Sequence, residues 1–181
     1  MTDLNLFKRI WQRSMIWLAC QDTLRERIEG SDRLASLAKR FVAGPDVAAA
    51  RLKAEDLAAS HIHSSIYYLG EYVDSAKLVE ENVRGIFAAI EHFAHTKHDW
   101  FISVDPTQIG CSMSDELGWA NAQRIGEAVK ALPDAKAHPM MIDMENASVV
   151  PQTINLFEKL RIAGVPVALT LQTYLYRTAE D

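Results

Sequence analysis

The sequence predicts an α/β fold with a parallel sheet, and three features carry that expectation. Short runs rich in β-branched and aromatic residues alternate with longer segments whose apolar residues recur every three or four positions. Two of the short runs, MMIDM and VALTL, are almost continuously apolar, as suits strands covered on both faces. Gly or Pro punctuates most of the joints. One strand followed by one helix, repeated, gives βαβ units whose successive strands run parallel.

The elements follow in chain order. From about Leu4 to Lys39 the pattern is helical, with Phe7, Ile10, Trp11, Met15 and Leu18 at spacings of three, one and four, so residues 1–45 read as an N-terminal helical segment. Gly44-Pro45 breaks the chain, and Asp46 is placed to cap a helix running to about Ala58. His61 to Leu69 reads as the first strand, ending at Gly70. Asp74 or Ser75 caps the next helix, along which Val79, Val83, Ile86, Ile90 and Phe93 step by four and three. Trp100 to Val104 is the second strand, closed by Asp105-Pro106. Ser114 opens a helix through Leu117, Ile125 and Val129 that Pro133 ends. Met140 to Met144 is the third strand, Pro151 to Ala163 the next helix, stopped by Gly164, and Val167 to Gln172 the fourth strand.

Four βα units result, where a closed (β/α)₈ barrel has eight and about 250 residues. Thr178 followed by acidic residues resembles the start of another helix. The expectation is therefore a partial (β/α)₈ TIM barrel over residues 46–181, truncated near its middle, with sheet edges and one sheet face that want partners.

Composition narrows the function. The chain has 181 residues, 49% hydrophobic and 24% charged, with a formal net charge of -5. Lys and Arg are scattered, with no basic stripe, which argues against nucleic acid. Cys20 and Cys111 stand alone, so neither a disulfide framework nor a thiolate metal site is expected, and a reducing cytoplasm fits. The MIWLAC run at residues 15–20 is far shorter than the roughly 20 residues a membrane span needs; it reads as a core-facing patch, with peripheral contact at the inner membrane face as the alternative.

In parallel α/β folds chemistry gathers where the strands' carboxyl ends meet the following loops. Those positions hold Gly70 and Glu71, then Asp105, Thr107 and Gln108, then Asp143 and Glu145, and finally Gln172, Tyr174 and Arg177. Asp143 and Glu145 share one strand face by the period of two if the strand stays extended that far, as do Gln172 and Tyr174. A buried Asp143 would need a cationic or hydrogen-bonding partner.

Several segments also resemble successive landmarks of the proline dehydrogenase family: Phe41-Val42-Ala43-Gly44, Leu69-Gly70-Glu71, Ile142-Asp143-Met144-Glu145, Leu156-Phe157-Glu158-Lys159-Leu160, and Leu171-Gln172-Thr173-Tyr174-Leu175-Tyr176-Arg177-Thr178. The third and fifth carry most of the specificity. The resemblance implies a barrel holding FAD at its carboxyl-terminal mouth, oxidation of L-proline or a related amine to Δ1-pyrroline-5-carboxylate, and a quinone as electron acceptor. It implies that Asp143 and Gln172 lie beside the cofactor, and it leaves Asp105 and Tyr174 as weaker candidates for substrate contact. The family's second strand reads ISVKL, whereas here Ile102-Ser103-Val104 leads into Asp105. At 4 Å and an effective dielectric near 20, replacing a cation by an anion turns about 4 kcal/mol of attraction for a carboxylate into similar repulsion. The family's later landmarks, including the arginine pair that clamps the substrate carboxylate, do not occur in this sequence, so no catalytic residue is assigned.

Two rival functions remain at this point. One is a non-catalytic half-barrel that forms a homodimer or pairs with a complementing second chain. The other is a barrel enzyme using Asp105, Asp143 and Glu145 as oxygen ligands for Mg²⁺ or Mn²⁺. His92, His95 and His98 drift around their helix and suit its C-terminal end better than a metal. His61 and His63 would share the first strand's inner face with Ser65 and Tyr67.

Overall fold

A computed structural model of the protein describes residues 42–70, 73–134 and 137–181. Most of the expected N-terminal helical segment, with Trp11, Trp17, Cys20 and the MIWLAC run, lies outside the described residues, as does Glu71.

The order is α1 (Val47–Ala58), β1 (Ser64–Tyr67), α2 (Ala76–Phe93), β2 (Trp100–Val104), α3 (Asp115–Lys130), β3 (Met140–Ile142), α4 (Val150–Ile162), β4 (Val167–Leu169), then a 3₁₀ turn over Tyr176–Ala179. The strands form a four-stranded sheet in sequence order. Every pairing is parallel, with Ile66 beside Ile102, Val104 beside Ile142 and Ile142 beside Leu169. The fold class is thus α/β with a parallel sheet, as the alternation predicts.

Local chemistry sets the helix starts. The Asp46 carboxylate accepts from the Ala49 amide at 2.9 Å, and the hydroxyls of Ser75 and Ser114 accept from Leu78 and Leu117 at 3.4 and 3.1 Å. Asp115 and Glu116 lie in the first turn of α3 and Lys130 in its last, each favourable to the helix dipole. Helix α4 has no side-chain cap and begins instead with Pro151 in its first turn. Gly164, at φ 75°, adopts the left-handed conformation that ends it.

The sheet has two unlike faces. Ile66, Trp100, Ile102, Val104, Met140 and Ile142 point to one side and join a single core with Val79, Val83, Ile86 and Phe93 of α2, Ala122, Ile125 and Val129 of α3, and Leu156 and Leu160 of α4. Helix α1 enters through Ala54, packing on α2 and β1. Each fully buried side chain of this size contributes about 1.5–3 kcal/mol. The alternate positions, Ser65, Tyr67, Phe101, Ser103, Met141 and Ala168, belong to no part of that core. All four helices therefore cover one face. The other carries Ser65, Tyr67 and Ser103 beside the half-buried apolar Phe101, Met141 and Ala168.

Three strands are shorter than expected. His61 to His63 precede β1 because α1 folds back on itself there: the His61 and Ile62 amides donate to Ala58 and Leu57 at 2.9 and 3.1 Å. His61 sits at φ 59°, outside strand geometry, so the expectation that His61 and His63 line the inner face is wrong. Strands β3 and β4 end at Ile142 and Leu169 rather than at Met144 and Gln172. Beyond Ile142 and Leu169 side chains take over: the Met144 amide donates to the Thr170 hydroxyl at 2.8 Å instead of to a backbone carbonyl. Tyr67 is half-buried and Tyr68 is 42% exposed.

Trp100 is buried between Phe93, at 5.3 Å between ring centroids, and His138, stacked at 4.9 Å. The close approach of α3 to the loop after β2 depends on Gly118, where a Cβ would lie 2.2 Å from Cys111 Sγ and 2.9 Å from its Cα. Because one of those atoms is backbone, Gly118→Ala should destabilise the protein by about 1–3 kcal/mol, read as a lowered urea midpoint with unchanged slope; Ser114→Ala should cost about 1 kcal/mol.

Candidate functional site

The site is built where the carboxyl ends of the strands stop making ladder bonds and side chains replace them. Helices α2 and α3 each place an asparagine on their buried face. The Asn82 amide donates to the carbonyls of Gly70 and Gln108 at 3.0 and 3.2 Å, and the Asn121 amide to that of Ile109 at 3.0 Å. Gln152 of α4 donates to the Cys111 carbonyl at 3.1 Å and to the Asp115 carboxylate. Gln108, fully buried, donates to the Tyr68 carbonyl. The loop after β2 is thereby fixed from three sides.

On the polar face, Ser65 donates to Ser103 at 3.0 Å, and the Tyr67 phenol donates to the Asp105 carboxylate at 2.6 Å. Asp105 is 6% exposed. A buried carboxylate needs such a donor, since leaving one unpaired costs several kcal/mol. Thr107 holds Glu145 twice, from its amide at 2.9 Å and its hydroxyl at 2.5 Å, tying the ends of β2 and β3 together.

Asp143 and Gln172 come to the same carboxyl edge. The Asp143 amide continues the ladder to the Val104 carbonyl at 3.0 Å. Its carboxylate is half-buried and accepts no hydrogen bond from the described residues. Gln172, on the segment after β4, donates its Nε2 to the carbonyls of Met144, at 3.1 Å, and Glu145. Its Oε1 is buried and has no partner, as is that of Gln108. Among the described residues neither amide oxygen has a partner, while both nitrogens are engaged.

The remaining candidates stand apart. Tyr174 is 75% exposed. Arg177 turns away to form a bidentate pair with Asp181 at 2.6–3.0 Å, which holds the Asp181 carboxyl below its usual range. His92 bonds the Ala88 carbonyl at 3.0 Å near the end of α2. No group of three or more His, Cys, Asp or Glu among the described residues could hold a metal ion, so Asp105, Asp143 and Glu145 do not form the oxygen cluster of the Mg²⁺ or Mn²⁺ alternative. No described helix is long and apolar enough to cross a membrane.

Sequence reasoning missed Asn82, Asn121 and the Thr107–Glu145 tie. A signal existed for the asparagines: each sits in register with its helix's apolar stripe, three after Val79 and four before Ile125, where a polar residue must be satisfied.

Beside the tie, burial together with the Asp115 and Glu145 charges pushes the Cys111 thiol up to about 12. In a Cys20→Ser background it should resist thiol reagents at pH 8 in the native state and react on unfolding. A Thr107→Val change should lower stability by about 1–3 kcal/mol, because Glu145 loses a hydroxyl donor in a half-buried place.

No protein-family model matches the chain. Curated relatives do. Proline dehydrogenase 1 of Bacillus subtilis subsp. natto is 32% identical over 144 residues, which are 80% of this chain and 46% of that protein. Proline dehydrogenase 2 of Bacillus subtilis (strain 168) is 27% identical over 146 residues, with the same two coverages of 80% and 46%. Proline dehydrogenase of Deinococcus radiodurans is 29% identical over 158 residues, 82% of this chain and 48% of that one. The chain thus spans about half the length of the curated relatives it matches.

Proposed function

This chain belongs to the proline dehydrogenase family, and from that premise we propose that it supplies part of an FAD site for oxidising proline or a related amine. The observation that carries the proposal is the convergence of Asp143 and Gln172 at one carboxyl edge, beside a polar sheet face that the helices leave open. Four strands in sequence order with every helix on one side are what four successive staves of a (β/α)₈ barrel would look like, the polar face being its inner wall.

The residues fit such a cofactor. With its nitrogen engaged by Met144 and Glu145, Gln172 would offer Oε1, an acceptor, to an N–H of the flavin. Asp143, with no described donor on its carboxylate, would accept from the cofactor or from a cationic amine. FAD supplies the hydride acceptor, and the protein supplies orientation and local charge. Gln172 also fixes the carbonyl ends of β3, so it is a positioning residue for Asp143 as well.

Asp105 shapes the substrate preference. Held by the Tyr67 phenol, it stands where the family has a lysine, so this position does not supply a cation to a substrate carboxylate. Tyr174, exposed at the same edge, would close over the substrate. A quinone acceptor and a cytoplasmic location belong to the same proposal.

The test is FAD titration of the full chain, followed by flavin fluorescence. Saturable quenching is expected, with affinity about tenfold weaker in Gln172→Leu and in Asp143→Asn, the loss of one good hydrogen bond in each. Equal affinity in both variants would remove these residues from the cofactor site.

A further inference from the structure

We propose that Thr170 is the residue that positions Asp143, its hydroxyl taking over a backbone bond of the sheet, a role at the cofactor site that rests on the flavin reading of Asp143 above. Strand register places it there. Met141 pairs with Ala168 and Ile142 with Leu169, so the next pair in line is Asp143 with Thr170. A regular parallel ladder makes two bonds through such a residue. Its amide donates to the carbonyl of residue 142, and its carbonyl accepts from the amide of residue 144.

The first bond forms: the Thr170 amide donates to the Ile142 carbonyl at 3.0 Å. The second goes elsewhere. The Met144 amide donates to the Thr170 hydroxyl at 2.8 Å, where the ladder would have used the carbonyl of the same residue. The hydroxyl in turn donates to the Ile142 carbonyl at 3.4 Å. One side chain thus accepts from the amide after Asp143 and donates to the carbonyl before it. A hydroxyl can fill both roles and a methyl can fill neither.

Burial shows what this exchange achieves. From Met140 to Glu145 buried and half-buried residues alternate without a break, past Ile142 where the ladder ends. The chain therefore keeps the strand's period of two, with Asp143 on the side away from buried Ile142 and Met144. The partner segment is released from the strand path meanwhile: Leu171 is 42% exposed, and Gln172 returns over the end of β3 to donate to the Met144 and Glu145 carbonyls. Asp143 is then held on every backbone side, its own amide on Val104, its neighbours on Thr170 and Gln172.

Two variants of the full chain test this: Thr170→Val keeps the shape and removes the hydroxyl, and Thr170→Ser keeps the hydroxyl. Amide hydrogen exchange resolved at Met144 and FAD titration are read on each, alone and in an Asp143→Asn background. In Thr170→Val the Met144 amide should exchange about tenfold faster and FAD should bind about tenfold more weakly, with Thr170→Ser within about twofold of the parent in both. Added to Asp143→Asn, Thr170→Val should weaken FAD no further, because it acts through that carboxylate. Unaltered exchange at Met144 in Thr170→Val, additive losses of affinity, or no rescue by serine would each overturn the proposal. If the parent chain binds no FAD, the flavin reading falls, and the exchange data with the serine rescue by themselves support or overturn the holding of Asp143 by Thr170.

Discussion

The carboxyl end of this sheet depends on amide side chains that donate to backbone carbonyls. Parallel strands that stop after three to five residues leave carbonyls without ladder partners, and unpaired carbonyls buried in loops are costly. Asn82, Gln108, Asn121, Gln152 and Gln172 meet that demand, each reaching into a loop that follows a strand. Carboxamides are suited to the task because they carry two donors and one further acceptor without net charge. A charged group would need its own compensation in the same confined space. Once the loops are held in this way, the carboxylates between them have defined places: Asp105 under Tyr67, Glu145 on Thr107, and Asp143 at the open edge.

Much of the fold was legible because it rests on local rules. Asp46, Ser75 and Ser114 cap the helices that the spacing of apolar residues predicts, and the apolar stripe of α2 is buried residue for residue. The strand ends were not legible. Nothing in HIHSSIYYL says that α1 will close over its own last turn and turn His61 out of line, or that Thr170 and Gln172 will serve β3 with side chains. The first outcome is a local turn and the second depends on pairing between segments about 27 residues apart; periodicity encodes neither.

At the candidate site the sequence indicated which residue types gather, since polar residues after apolar strands stand out. It did not indicate which would be engaged with one another. Asp105 reads as an open rim carboxylate until Tyr67, thirty-eight residues earlier, is seen to donate to it. Asp143 is half-buried, and none of the described residues donates to its carboxylate. Asp143 and Gln172 lie at one carboxyl edge of the sheet, and His61, His63 and His98 lie at its other end.

The two-faced sheet has an evolutionary consequence. Along β1, β2 and β3 even-numbered positions lie in a packed interior, while odd-numbered ones lie outside that core. Substitutions in the first set cost folding stability more than substitutions in the second. An exposed position of the second set such as Ser65 can therefore change its chemistry while the helix-covered interior stays as it is.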